Sequence, residues 1–588
     1  MGMTIGRKLS CCVTIIVALS SFTLVFAKPK DKDKDKENSS EVKFTSRTAL
    51  VLVPTLVTDK SGNHTLGLKK EDFTVLENGA EEKLATFEEI TSDAHRWSRP
   101  GNPNEFSNSL AGGPSARRVT LIVLDFINTP FMAQAVGRQD LLKYLAQSLD
   151  QREPTALYTL TRSGIHVIHD FTTDPRVLVA ALHKVQGEAL QLVDSPEEVE
   201  AVTGTASPDG SAGADPLAAA AAASKGRSSN QQLAQLEAQQ LQNMIEDTEL
   251  NFQSFQQRLA ITYTLQGMQQ IAQALAGIPG RKSLIWASGG FPFSVSDNTM
   301  QLAPAGRDSL PDVLPMYEHT WQLLNDAQIS LYPVDVKGLQ VVTTPGASVG
   351  KPGKNYARNM SWRQMDTQSS FETFASMTGG RAFYNSNNLA KGFREAVNDS
   401  AEYYMLGYYL DRSKTKSGWR KLAVKVKRDH VEVRARSGFF VTNATIDPEN
   451  SRNSDLSSAL QSPLDFTSLA LVARWDKIDP GKEPGKKHVN YEMHLAPDPA
   501  LIDEADNNHV VLDFVALAKT PEGKQVDHPV GQNVDDHLTP EKLSTIRQKG
   551  AVCRGALDLA PGEYTVRFVV RDGLSGRIGS VAAPLKVE

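Results

Sequence analysis

Two short apolar runs, each ended by a small polar cluster, constrain this chain more than any other feature. The first is Val119-Thr-Leu-Ile-Val-Leu-Asp-Phe-Ile-Asn-Thr129, and the second is Lys282-Ser-Leu-Ile-Trp-Ala-Ser-Gly-Gly290. An apolar run of this length bounded by turn residues reads as a parallel strand buried on both faces. In open α/β sheets a ligand sits just past the carboxyl ends of such strands, where the strand order reverses. Asp125, Asn128, Thr129 and Ser288 are therefore the candidate site residues, placed where a ligand or a metal is expected.

The surrounding pattern alternates. Strands are predicted near 119–125, 156–161, 165–169, 283–287, 329–335, 381–384 and 403–410, and helices near 132–149, 174–185, 262–276, 317–328, 367–377 and 388–400. Such an order implies right-handed crossovers and a mainly parallel sheet with helices on both faces. Gly379 and Gly380 read as a helix stop with a left-handed residue. Lys421–Val426 and Val431–Arg436 read as a hairpin at or beyond the sheet edge. An insertion over 190–258 interrupts the domain. Its first part holds a six-alanine run, Ala218–Ala223, and its Gln-rich second part carries one apolar helical stripe.

The ends of the chain have a different character. Arg7 and Lys8 precede an apolar run that closes on Val25-Phe26-Ala27, so residues 1–27 read as a secretory signal peptide. Its removal leaves Cys553 as the only cysteine, no internal disulfide and no stable transmembrane anchor. Residues 28–45 form a charged linker, 46–91 a small β module with Ser-Gly and Asn-Gly turns, and 92–117 a connector. The α/β domain covers 118–441. A polar linker over 442–464 leads to alternating strands over 465–588, expected to pack as an Ig-like β-sandwich. The formal charge of −5, with no basic stripe, argues against nucleic acid as a partner.

Catalytic patterns are missing from the sequence. His166 and His169 stand three apart on a predicted strand and point to opposite faces. No His-Glu-x-x-His occurs, Ser288-Gly-Gly290 lacks the hydrolase elbow, and Thr378-Gly-Gly380 lacks the lysine of a phosphate loop. The chain is not expected to be an enzyme. Tyr404 and Tyr408 should share one strand face and Tyr403 and Tyr409 the other, as aromatic packing across a sheet.

Several motifs in order carry a family resemblance. They are Leu66-Gly-Leu-Lys-Lys-Glu-Asp-Phe-Thr-Val-Leu-Glu-Asn-Gly79, Leu124-Asp-Phe-Ile-Asn-Thr129, Thr378-Gly-Gly-Arg-Ala-Phe383, Tyr403-Tyr-Met-Leu-Gly-Tyr408 and Val433-Arg-Ala-Arg-Ser-Gly-Phe439. The middle domain resembles von Willebrand factor type A domains, and more closely the exported von Willebrand factor type A-related proteins of soil acidobacteria. The resemblance implies a Rossmann-like domain that binds protein or matrix through an Asp-x-Ser-x-Ser cluster holding Mg²⁺ or another divalent cation. Asp125 matches the first aspartate and Thr129 the second hydroxyl. Ile127 replaces the first hydroxyl, Thr262 or Thr264 stands for the loop threonine, and Ser288-Gly289-Gly290 occupies the place of the second aspartate. The resemblance thus implies a degenerate metal site built from Asp125, Asn128, Thr129 and Ser288. The expected function is non-catalytic recognition or adhesion towards a protein or cell-surface partner, in the periplasm or outside the cell. The alternative is an envelope assembly component docking through the helical insertion.

Overall fold

The computed structural model describes residues 48–91, 104–109, 119–147, 154–185, 258–291, 293–296, 299–302, 313–338, 368–386, 388–399, 402–411, 418–441, 448–481, 483–503 and 506–588, with a few isolated positions besides. The predicted leader, the charged linker and nearly all of the 190–258 insertion lie outside the described residues.

In chain order the strands begin with β1 (Thr48–Asp59), β2 (Phe73–Glu77), β3 (Ala80–Glu82), β4 (Leu84–Ile90) and β5 (Glu105–Ser107). The middle of the chain supplies β6 (Val119–Asp125), β7 (Thr155–Thr161), β8 (Gly164–Thr172), β9 (Lys282–Ser288), β10 (Phe293–Ser296), β11 (Thr299–Leu302) and β12 (Ile329–Asp335). Next come β13 (Tyr403–Asp411), β14 (Gly418–Val426), β15 (Val431–Arg434) and β16 (Gly438–Val441). The last seven are β17 (Leu471–Pro480), β18 (Lys487–Leu495), β19 (His509–Lys519), β20 (Val530–His537), β21 (Ala551–Leu559), β22 (Gly562–Asp572) and β23 (Ile578–Val587). Helices are α1 (Phe131–Gln147), α2 (Pro175–His183), α3 (258–275), α4 (Leu314–Asp326), α5 (368–378), α6 (Leu389–Asn398), α7 (Pro448–Gln461) and α8 (Pro540–Lys549).

The central sheet has the order β12-β9-β6-β7-β8, with four parallel strands and β8 antiparallel at one edge. β8 follows β7 after only Arg162 and Ser163, and a parallel crossover needs a dozen residues or more, so this turn dictates the antiparallel edge. Every residue of β6, β9 and β12 is buried, as the apolar runs predict. Alternation then splits each strand. Leu121, Val123, Leu284 and Trp286 pack beneath Leu265, Met268, Trp321 and Phe371 of α3, α4 and α5. Ile122, Leu124 and Ile285 pack on the other face beneath Leu141, Leu178 and Phe393 of α1, α2 and α6. The chain is a mixed α/β protein with several antiparallel sheets besides.

Strands 403–410, 421–426 and 431–436 do not extend this sheet. β13 lies between β1 and β4, and β15 pairs with β1. β14 lies between β2 and β16. The expected hairpin is not a ladder, because the turn at Arg428-Asp-His430 (φ 62° at His430) sends β14 and β15 into two different sheets. Those sheets, β15-β1-β13-β4 and β16-β14-β2-β3, enclose a core of Val53, Val75, Tyr404, Leu406 and Tyr408. Tyr404 and Tyr408 share this core as alternation predicts, while Tyr409 is exposed and Tyr403 accepts a hydrogen bond from the Arg281 N–H at 2.9 Å. Buried phenols need partners. The Tyr404 hydroxyl accepts from Leu68 N–H, and the Tyr408 hydroxyl donates to Glu77.

The C-terminal region is two facing four-stranded sheets, β21-β18-β17-β5 and β20-β19-β22-β23, around a core that includes Leu471, Tyr491, Phe514 and Phe568. Its outermost strand on one sheet, β5, comes from the stretch expected to be connector. Asn108 locks it in place: its amide donates to the Phe466 and Leu469 carbonyls and its side-chain oxygen accepts from Leu471 N–H. The 442–464 stretch is likewise more than linker. It contains α7, whose Leu456, Ala459 and Leu460 join the core beneath the parallel sheet. The polar first half of α7, Pro-Glu-Asn-Ser-Arg-Asn-Ser-Asp, conceals that stripe. No helix among the described residues is long and apolar enough to cross a membrane.

Candidate functional site

The strand order reverses at β6, whose neighbours are β7 and β9, so the crevice beyond the carboxyl ends of β6 and β9 is the switch point of this sheet. Asp125 ends β6 and Ser288 ends β9, both on the face covered by α3. The structure brings the four predicted residues together there, all of them buried.

Asp125 is 1 % exposed and accepts five hydrogen bonds. Oδ1 takes the backbone N–H groups of Ile127 and Asn128, each at 3.0 Å. Oδ2 takes Asn128 Nδ2 at 2.7 Å, Ser288 Oγ at 2.9 Å and the Trp286 indole nitrogen at 3.0 Å. A carboxylate offers about four lone-pair directions, so five donors consume them. Burial pushes the Asp125 carboxyl above its ordinary value, and the bonds from Asn128, Ser288 and Trp286 pull against it.

The second Asn128 amide hydrogen goes to Thr264 Oγ1 at 2.8 Å, leaving its buried Oδ1 without a partner. Thr264 is the threonine that reaches the cluster, whereas the Thr262 hydroxyl donates to the Arg258 carbonyl one turn back. Both sit inside α3 rather than in a loop before it. Thr129 Oγ1 accepts from Gly289 N–H at 2.9 Å and so ties the β6 loop to the β9 loop. The two loops approach so closely that a Cβ on Gly289 would lie 2.8 Å from the Asn128 carbonyl oxygen.

This arrangement does not fit the Mg²⁺ set that the resemblance implies. A hard cation needs oxygen lone pairs at about 2.1 Å, and those of Asp125 face N–H and O–H donors. Ser288 is not set up as a nucleophile either. Its hydroxyl meets Asp125 and the Gly290 carbonyl, at 2.9 and 2.7 Å, and no imidazole among the described residues is hydrogen-bonded to it.

Three features escape a reading of the strand ends alone. Trp286 reads as core, yet it stands two residues before Ser288 on the same face, and a buried indole N–H requires an acceptor. Asp335 ends β12 opposite Ser288, buried and raised by that burial, but it lies two strands from Asp125, about 10 Å across the sheet. The third is Asp506, His509 and His537 at one end of the sandwich. β20 is nearly all exposed and carries no buried apolar face, so hydrophobic alternation does not reveal it or the pairing that joins the two histidines.

The remaining sequence candidates are structural. His166 Nε2 lies 2.7 Å from Ser163 Oγ in the β7–β8 turn, and His169 Nδ1 lies 2.6 Å from the Asp170 carbonyl. Gly379, at φ +76°, ends α5 with Gly379 N–H bonded to Ser376 O and Gly380 N–H to Ala375 O, the paired bonds of a left-handed C-cap. Cys553 is buried in β21, its thiol pushed up to about 11 by burial. In comparison with known proteins, no family model matches the chain, and the search of curated proteins finds no match.

Proposed function

We propose that this chain is a non-catalytic exported protein that recognises a protein or cell-surface partner through a von Willebrand factor type A-like domain with a degenerate metal site. One observation carries the reading: the carboxylate at the switch point spends every lone pair on its own protein. Such a cluster holds two loops rigidly and leaves recognition to the side chains around it. Phe131 follows Thr129-Pro130 at the start of α1 and is 46 % exposed, an aromatic anchor at that rim. Export rests on the Val-x-Ala leader pattern alone.

The test displays the chain on a sensor surface and measures capture from envelope extracts in EDTA and in millimolar Mg²⁺. Capture is expected to be equal in the two buffers and to be lost in Phe131→Ser with an unchanged melting temperature. Capture that vanishes in EDTA, or that Phe131→Ser leaves intact, would overturn the reading.

A further inference from the structure

We propose that Asp506, His509 and His537 bind a divalent transition-metal cation of the zinc class at one end of the C-terminal sandwich. His509 opens β19 and His537 closes β20, and the antiparallel register sets them directly opposite each other. Directly opposed residues are the closest side-chain neighbours across a sheet. Asp506 approaches from the preceding turn, where Asn507 and Asn508 both adopt left-handed backbone (φ 51° and 59°). Reciprocal backbone bonds between Asp503 and His509 close that turn. Asp506 Oδ2 lies 3.2 Å from His509 Nδ1, and its Oδ1 lies 3.8 Å from His537 Nε2.

The three ligand atoms all lie within 4.8 Å of one another. Tetrahedral Zn²⁺ with bonds of about 2.0–2.1 Å spaces its ligands roughly 3.4 Å apart. The residual gap closes by side-chain rotation. The two rings stack at 4.5 Å and only 5° from parallel, so one must turn to aim its nitrogen at the ion. His537 is the one free to turn, its side chain 51 % exposed against 18 % for His509.

The donor set selects the class of ion. Two imidazoles and one carboxylate suit Zn²⁺ and its transition-metal neighbours, whereas Mg²⁺ and Ca²⁺ want oxygen throughout. An outer partner is also in place. His509 Nε2 lies 2.7 Å from Asp535 Oδ1, so with Nδ1 turned to the ion the other ring N–H donates to a carboxylate. That carboxylate–histidine–metal arrangement fixes the tautomer and raises the basicity of the ligand. The competing description is an imidazolium held between Asp506 and Asp535, which gives His537 no role in ion capture.

The untagged chain, stripped with EDTA, is titrated with ZnCl₂ by calorimetry and with Co²⁺ by visible absorption. The expected result is one tight equivalent of Zn²⁺, a tetrahedral Co²⁺ band that Zn²⁺ displaces, and no heat with Mg²⁺. His509→Ala and His537→Ala each abolish the tight equivalent, while Asp535→Asn weakens it by about 10–100-fold. The metal-free His537→Ala variant should melt with the metal-free parent, because that side chain is half exposed. Absence of a tight equivalent in the parent, or its persistence in both histidine variants, would overturn the proposal.

Discussion

Asp125 and His509 are both titratable groups at strand ends, and they use their hydrogen-bonding capacity in opposite ways. Asp125 is sealed in, and five donors from its own chain fill its lone pairs. His509 sits at an edge where its neighbours Asp506, Asp535 and His537 are themselves half exposed and can regroup around an ion. Being placed where a ligand is expected therefore does not make a residue available to one. What matters is whether its partners are buried with it or can move aside. The sealed group keeps its donors, and the open one has exposed carboxylate partners that can regroup around an ion.

The largest predicted effect tests the sealed cluster. Asp125→Ala strands the Trp286 and Asn128 side-chain donors together with two backbone N–H groups in a dry site. Each buried unsatisfied polar group costs about 1–3 kcal/mol, and partial relaxation leaves an expected loss of roughly 3–5 kcal/mol. Urea unfolding measures it. A loss below about 1 kcal/mol would mean that water enters the crevice and the cluster is not sealed. Because burial holds this carboxyl above its ordinary value, its own contribution is fully present below about pH 3.8 and falls as pH rises through the folded-state value.

Lys282 sharpens the comparison from the other end of β9. It is as buried as Asp125, yet burial pulls its ammonium down to about 7, with no acidic neighbour among the described residues opposing the shift. The unfolded chain therefore binds the extra proton between about pH 7 and the ordinary lysine value of 10.5, and stability rises with pH across that window. Lys282→Met is expected to stabilise the protein by on the order of 3 kcal/mol at pH 7 and below, with the gain shrinking towards pH 10. Denaturant melts of parent and variant at both ends of the window measure it. A pH-independent difference would show that the amine finds a partner in the folded state.

The strand ends and the sandwich edge also differ in how much of each the sequence reveals. β6, β9 and β12 are seven-residue buried runs, and a buried parallel strand must be apolar on both faces. The switch-point rule then leads straight to Asp125 and Ser288. The same rule is silent about Trp286, since an aromatic inside a buried run reads as packing. Pairings between β1 and β13 are invisible to local pattern because their residues lie far apart, as do Leu68 and Tyr404, joined by a hydrogen bond across 336 positions. β20 hides for another reason. Its residues Val-Gly-Gln-Asn-Val-Asp-Asp-His are nearly all exposed at the outer edge of a sheet, so no apolar face marks them as a strand. The register between His509 and His537 disappears with it.

The smallest predicted effect belongs to His509 without metal. Hydrogen bonding to Asp535 raises its pKa above the ordinary 6.5, and the charge of Asp506 adds to the shift. A histidine raised by folding contributes stability that is fully present below 6.5 and is lost as pH climbs through the folded-state value. Water screens this edge site, so the contribution is about 0.5 kcal/mol, as for other partly exposed ion pairs. Urea unfolding in EDTA at about pH 5.5 and about pH 8.5, on the parent and on His509→Gln, isolates it as the difference of differences. The parent should lose that increment relative to the variant as pH rises. A loss of several kcal/mol would place His509 among the sealed groups with Asp125. No loss at all would mean that the two carboxylates do not hold the imidazolium, and that metal, where present, is the only strong partner of this ring.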